Sequence, residues 1–403
     1  MVNVEYLTGC NRGFSLSGIG AIYNYPELRG KLRHHNFSTN KEIELLLHLV
    51  EENYNGNLIE TVENVVKLIE GDFAFGVRYG NEMVIARDPL GVVPIFYGRE
   101  SFSFKRRELW KNGEEAKTLK PGEVLNIADG EKKRVEMQYE KRTIENPVEE
   151  LEVAIMNSIE KRTRNVSRYG IFFSGGLDSS ILARFSEELE KNFSLFSVAL
   201  RDSHDYKLIK ELSKDREIIF REIEMEELEG YVRKVIDCIE SCDKLKVCIG
   251  IPTYIACEEA KKAGVKVVLS GLGADELFAG YKKYLYVEDL ESALMRDFER
   301  MHTVNLERDT PIAIHHSLSM RFPFLDREVI SIAFSIPTDL KIREGKRKYI
   351  LREIARRKGI NIIEKKAIQY STGVEKALRK IAKEKSISLE NYLRKTFNDI
   401  FNN

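Results

Sequence analysis

Apolar residues fall into two regimes along this chain. Up to about residue 140 they come in short runs, Phe73-Ala-Phe-Gly-Val77, Met83-Val-Ile-Ala86 and Pro94-Ile-Phe-Tyr97, followed by the turn-rich Lys120-Pro-Gly-Glu-Val124. Runs of this length bounded by Gly, Pro and Asp predict β-strands. Over residues 42–52 the period changes, and Ile43, Leu46, Leu47 and Val50 take the spacing that lines one face of a helix. The first part therefore reads as α+β. Beyond a charged stretch at 131–147 the pattern alternates. Tyr169-Gly-Ile-Phe-Phe173, Leu195-Phe-Ser-Val-Ala-Leu200, Glu217-Ile-Ile-Phe220 and Val265-Lys-Val-Val-Leu269 read as buried strands, with helical spacing between them, the first helix over 179–191. Strands joined by crossover helices predict a parallel, doubly wound α/β sheet. Two domains are expected, 1–140 and 141–403. In such sheets ligands bind beyond the carboxyl ends of the strands, which directs attention to the loops after Phe173, Leu200 and Leu269.

Composition narrows the partners. Lys+Arg and Asp+Glu both number 64, so no net field attracts nucleic acid or an anionic membrane surface. No apolar run approaches the roughly 20 residues that span a bilayer, and no basic-then-apolar leader opens the chain. A soluble, cytoplasmic protein is expected. The five cysteines, Cys10, Cys238, Cys242, Cys248 and Cys257, are odd in number and four are clustered, which fits a reducing compartment. Their spacing lacks the C-x2-C of common zinc and iron–sulfur sites, so core thiols are expected, with metal binding as the other reading. His315-His316 reads as packing or surface, with a ligand role as the alternative. The high charged fraction, 32%, and only two glutamines resemble the bias of proteins that work hot.

The candidate chemistry sits at strand ends. Ser174-Gly-Gly-Leu-Asp-Ser-Ser180 lies between a strand and a helix, so backbone N–H groups and the helix N-terminus converge on a place that suits an anion. Gly175 and Gly176 permit close approach, and Ser174, Ser179 and Ser180 add hydroxyl donors. Asp178 would repel a phosphate, so Mg²⁺ bridging carboxylate and pyrophosphate is the expected reading. The loop is not a Walker motif. The plain alternative is a strand-to-helix turn capped by serines. A second loop, Leu269-Ser-Gly-Leu-Gly-Ala-Asp-Glu-Leu-Phe-Ala-Gly-Tyr281, repeats the arrangement and places Asp275 and Glu276 beside a nucleotide phosphate, again with Mg²⁺. Acidic residues favoured at a helix start are the alternative there.

These two loops, with Ser319-Met-Arg-Phe-Pro-Phe-Leu-Asp326, Lys348-Tyr-Ile-Leu-Arg352 and Lys365-Lys-Ala-Ile-Gln-Tyr-Ser-Thr-Gly373, resemble the asparagine synthetase family over roughly residues 18–380. The resemblance implies an ATP-pyrophosphatase domain using ATP and Mg²⁺. It implies adenine contacts at Phe173 and Val198 and a ribose and phosphate environment at Ser270 and Gly271. Pyrophosphate would lie at Ser174, Gly175, Gly176, Leu177, Asp178, Ser179 and Ser180, and Mg²⁺ at Asp178 and Asp275. Lys366, or adjacent Lys365, would neutralise charge on the α-phosphate; a solvated basic surface is the other reading of those lysines. Phosphoanhydride cleavage needs alignment and charge neutralisation more than covalent help, which suits such a site.

The first domain resembles the family's Ntn-type glutaminase domain through Ala21-Ile-Tyr-Asn-Tyr-Pro-Glu-Leu-Arg29, Phe37-Ser-Thr-Asn-Lys-Glu-Ile-Glu44, Gly71-Asp-Phe-Ala-Phe75 and Arg87-Asp-Pro-Leu-Gly91. It departs in three ways. Val2 stands where the family exposes its cysteine nucleophile, whose free α-amine serves as base. Cys10 lies too close to Ile22-Tyr-Asn24 to replace it. The glutamine-binding Asn-Gly-Glu reads Ile19-Gly-Ala21. A truncated, degenerate domain without glutamine hydrolysis is expected. In the synthetase part, Leu272 replaces the family's glutamate between the two glycines, and Ser319 replaces another glutamate, which opens the identity of the acid and amine. The leading expectation is an AMP-forming carbon–nitrogen ligase joining a carboxylate to ammonia or an amine, with ammonia free or from a separate glutaminase subunit, in a chain that forms a homodimer. A non-catalytic ATP-binding regulator and a tRNA-modifying enzyme are the alternatives.

Overall fold

Residues 5–8, 13–39, 41–137, 139–362 and 372–401 are described by a computed structural model. The chain divides into two compact units, 1–137 and 138–403. Among the described residues no helix is long and apolar enough to cross a membrane.

In the first unit the short apolar runs form an antiparallel sheet ordered β1-β2-β3-β4-β8-β9. The members are β1 (Glu5–Thr8), β2 (Phe14–Ile22), β3 (Gly71–Tyr79), β4 (Glu82–Arg87), β8 (Glu123–Asn126) and β9 (Lys132–Arg134). Short strands β5 (Phe96–Tyr97), β6 (Phe102–Ser103) and β7 (Lys117–Thr118) make a second, small sheet. The run expected over 94–97 forms only its last two residues as strand, because Pro94 has no N–H to give a ladder. Helices α1 (Tyr25–Lys31), α2 (Glu42–Asn53) and α3 (Leu58–Leu68) precede β3. The one-faced helix expected over 42–52 is instead buried on almost every side, Glu44, His48 and Glu51 included. It packs on β2 along one side and against α1 and α3 along the others. Burying three polar side chains is tolerable only where each is hydrogen-bonded, and each is.

The second unit opens with α5 (Pro147–Thr163), which follows the short α4 (Arg106–Lys111) of the first. Then β10 (Tyr169–Phe172), α6 (Leu177–Glu188), β11 (Phe193–Leu200), α7 (His204–Leu212), β12 (Ile218–Ile223), α8 (Leu228–Ile239), α9 (Lys244–Lys262) and β13 (Val267–Leu269) alternate as the sequence predicts. A fifth strand, β14 (Ser319–Arg321), escapes sequence reading because three residues carry no period. The sheet is parallel throughout, ordered β12-β11-β10-β13-β14. Progression runs outward from β10 to β12 and then reverses across β10 to β13. The gap between the carboxyl ends of β10 and β13 is therefore the switch point where such sheets receive ligands.

After β14, Asp326 accepts a hydrogen bond from the Glu328 N–H and caps α13 (Arg327–Ser335), so the end of the Phe-Leu-Asp stretch is structural. It also pairs with the buried Arg162 of α5 at 2.6 Å. Burial raises the Asp326 carboxyl, but Arg162 and Lys161 outweigh it and hold the group below its ordinary range.

Candidate active site at the switch point

Both expected loops lie at this gap, and they touch. Gly271, just after β13, sits so close to α6 that a Cβ there would meet the Asp178 Cβ at 3.0 Å. Only a residue without a side chain lets the two loops approach this far. Gly175 has φ of +70°, and a Cβ there would meet Leu212 at 2.7 Å, so its place in the first loop is fixed twice over.

The first loop is held by its own hydroxyls. The Ser174 N–H donates to Ser179 Oγ at 3.2 Å, the Gly176 N–H donates to Ser174 Oγ at 3.3 Å, and Ser179 Oγ donates to the Gly176 carbonyl at 3.1 Å. Two N–H groups expected to face an anion are thus engaged within the loop, which pre-forms the turn before any ligand arrives. The serine-capped turn and the anion cradle are one structure. Phe173 is buried beside it, with its carbonyl accepting from the Ser197 hydroxyl, and Val198 is half-buried at the end of β11. In the second loop the Leu272 N–H donates to Ser270 Oγ at 3.4 Å, and the Leu272 side chain is half-buried.

Asp178 and Asp275 converge on one cation. Lys348 Nζ lies 2.6 Å from Asp178 Oδ2 and 2.7 Å from Asp275 Oδ1. Lys348 immediately precedes α14 (Tyr349–Arg357) with φ of +54°, a left-handed conformation that an L-residue adopts at a cost. Burial pushes its ammonium down, yet the two carboxylates outweigh that and raise it well above the usual lysine range. Asp178 is pushed up by burial and by Asp275, against the opposing pull of Lys348. Arg352 also pulls the Asp178 carboxyl down, and Asp178 Oδ1 is buried without a hydrogen-bond partner. An orphaned carboxylate oxygen beside a second carboxylate is the donor set a hard divalent cation takes, so these residues fit Mg²⁺.

Glu276 does not join them. It is 3% exposed and accepts from the Tyr281 hydroxyl at 2.6 Å and from Asn305 Nδ2 at 2.9 Å, which corrects its expected place beside a phosphate. Burial and Asp275 push its carboxyl up to about 7. The folded state then binds an extra proton between the unfolded carboxyl range and pH 7, so this group costs stability as pH rises through that window. Replacing it as Glu276→Gln keeps both acceptor contacts and removes the charge. Urea unfolding should show E276Q gaining about 1–3 kcal/mol on the wild type between pH 5 and pH 8, with the difference fading toward pH 4.

Lys366 and Lys365 lie outside the described residues. The chain re-enters at Thr372, whose carbonyl accepts from the Leu200 N–H at 3.2 Å, at the carboxyl end of β11. Ser319 opens β14, and its hydroxyl accepts from Arg321 Nε at 3.1 Å. Cys238, Cys248 and Cys257 are buried on α8 and α9, and burial pushes the Cys248 thiol up to about 12. Among the described residues no cysteine stands in a group that could hold a metal. His315 Nε2 meets the Tyr254 hydroxyl at 3.1 Å, a packing contact. Lys348 is the site residue whose role the sequence does not disclose. It belongs to a stretch resembling the family, but nothing in its spacing says that it meets an aspartate 170 residues earlier.

The asparagine synthase family model matches residues 150–289 and 286–397, more than half of the chain and all five strands of the parallel sheet. The chain belongs to the asparagine synthetase family. A glutamine amidotransferase domain model matches residues 8–106, within the first unit. A candidate glutamine-hydrolysing asparagine synthetase 1 of Methanocaldococcus jannaschii is 35% identical over 92% of this chain and 80% of its own length. The glutamine-hydrolysing asparagine synthetase of Asparagus officinalis is 28% identical over 80% of this chain and 58% of its own, and that of Arabidopsis thaliana, number 1, is 27% identical over 83% and 61%. The chain thus spans less than two thirds of these plant relatives.

Proposed function

We propose that this asparagine synthetase family member is an AMP-forming carbon–nitrogen ligase working at the β10–β13 switch point. An oxygen of a carboxylic acid attacks the α-phosphorus of ATP, the α,β-anhydride bond breaks and pyrophosphate leaves. Ammonia or an amine then adds to the acyl carbon of the adenylate, AMP departs with the bonding pair, and an amide remains. The observation that carries this reading is the convergence of Asp178 and Asp275, from two different loops, on Lys348.

Each role follows from that convergence. Asp178 and Asp275 would hold Mg²⁺, which when bound neutralises the charge gathering on the leaving pyrophosphate. Ser174 to Ser180 cradle that pyrophosphate at the start of α6, and Lys348 places a fixed positive charge beside it. Phe173 and Val198 contact the adenine, Ser270 and Gly271 the ribose side, and Lys366 or Lys365 answers the charge on the α-phosphate. Leu272 accepts no proton, so the amine sheds its proton elsewhere. We also infer an Ntn-type first part, divided near residue 140 from a doubly wound second, in a cytoplasmic and homodimeric chain.

In the first unit, the stretch that stands where the family binds glutamine has lost its polar side chains. Ile19 and Ala21 on β2 are both buried and neither offers a donor or an acceptor. Ammonia therefore comes free or from a separate subunit. The test incubates the purified chain with ATP, Mg²⁺ and candidate acids, aspartate first, with ammonium or glutamine in parallel, and measures AMP, amide and glutamate. Amide with ammonium and no glutamate from glutamine is expected. Glutamate release overturns the degenerate reading, and ATP binding with no AMP from any acid leaves the regulator that Leu272 would suit.

A further inference from the structure

The first unit contains a second constellation, built from residues given no role in the reaction. His48 and Glu51 lie one turn apart on α2, and His35 reaches them from the loop after α1. His35 Nδ1 is 3.2 Å from His48 Nδ1 and 3.6 Å from Glu51 Oε2, while His48 Nδ1 is 3.0 Å from the same oxygen. The three atoms form a nearly equilateral triangle. Zinc ligands at about 2.0–2.2 Å in a tetrahedron stand about 3.3–3.5 Å apart, so this triangle has the dimensions of one tetrahedral face.

The outer contacts orient the rings. His35 Nε2 is 3.1 Å from Glu52 Oε2, and His48 Nε2 is 3.7 Å from Glu44 Oε1. Glu52, at hydrogen-bond distance from His35 Nε2, favours the tautomer with the proton there, which turns the His35 Nδ1 lone pair toward the triangle. Glu44 is itself fixed, because the backbone N–H groups and hydroxyls of Ser38 and Thr39 donate to its two oxygens at 2.5–2.7 Å. Both Nδ1 atoms and Glu51 Oε2 thus meet at one point, where a cation can be shared among them. A divalent metal would take the place of the hydrogen bond between His48 Nδ1 and Glu51 Oε2.

We infer that His35, His48 and Glu51 form a binding site for a zinc-class divalent cation, with a fourth position left for water or another oxygen. The ligand set, two imidazoles and a carboxylate, selects borderline metals such as Zn²⁺ and Co²⁺ over Mg²⁺, which prefers all-oxygen surroundings. The site's side chains are 12%, 3% and 2% exposed, so binding there ties α2 to the loop before it.

The experiment titrates the chelator-treated full chain with Co²⁺ and Zn²⁺, following visible absorption of the cobalt form and heat of binding. The wild type should take up one equivalent with the spectrum of a tetrahedral site and gain several degrees in Tm, as a ligand that binds only the folded state requires. His35→Ala and Glu51→Gln should lose that equivalent, and Asp178→Asn should keep it. Glu52→Gln alters only the rim, so folding is not at stake, and its affinity should fall 10- to 100-fold. The proposal is overturned if the wild type takes up no metal, if H35A and E51Q retain the same equivalent, or if E52Q binds as tightly as the wild type.

Discussion

Replacing Lys348 by methionine should cost about 3 kcal/mol of folding stability at pH 8 and abolish amide synthesis. The ammonium is the shared counter-charge of Asp178 and Asp275, and removing one member of a buried ionic group leaves the rest uncompensated. The figure lies at the low end of the range for buried pairs because the Asp275 side chain is 40% exposed. The pH dependence has a definite sign. Burial already pushes the Asp178 carboxyl up, and without the lysine it holds its proton further above the unfolded range, so the deficit grows as pH rises and shrinks toward pH 4. Millimolar Mg²⁺ should recover part of the stability of K348M, because it takes the place of the missing charge. Urea unfolding across pH, with and without Mg²⁺, measures all of this.

Asp178→Asn should do the reverse: preserve the fold and destroy the chemistry. Asparagine keeps the shape and one acceptor, and Lys348 keeps its pairing with Asp275, so the loss of stability should stay at about 1 kcal/mol. It removes the charge on the buried, unpartnered Oδ1, the atom best placed to reach a cation. Carboxylate-dependent exchange of pyrophosphate into ATP should fall by about 10²–10³, a loss of roughly 3–4 kcal/mol of transition-state stabilisation. Asp275→Asn should behave alike. A D178N protein that exchanges at wild-type rate would remove Asp178 from the reaction.

What was legible in the sequence depended on period and chain locality. The runs at 169–173, 195–200 and 265–269 became β10, β11 and β13 because fully buried parallel strands are written as continuous apolar stretches. Gly175 and Gly271 marked the two loops because positive φ and close approach leave a trace in residue type. The helix expected over 179–191 began two residues earlier, at Leu177, since its start is set by the Gly176 turn rather than by a serine. Lys348 stayed silent because its partners are joined to it only through the folded sheet. In α2 the apolar spacing of Ile43, Leu46, Leu47 and Val50 showed one buried face, and the structure also buries Glu44 under donors from Ser38 and Thr39 and sets His48 against Glu51, contacts that apolar spacing does not register. Glu276 looked equivalent to Asp275 in sequence, yet adjacent residues at a helix start point about 100° apart, which sends one to Lys348 and the other to Tyr281 and Asn305.

The measurement that addresses the central claim most directly is a crystal structure of this chain with Mg²⁺ and a non-hydrolysable ATP analogue. The account predicts the β- and γ-phosphates against residues 174–180, with Mg²⁺ about 2.1 Å from oxygens of Asp178 and Asp275 and the α-phosphorus open toward the acid. Nucleotide bound elsewhere, or at this gap with neither aspartate facing its metal, contradicts it.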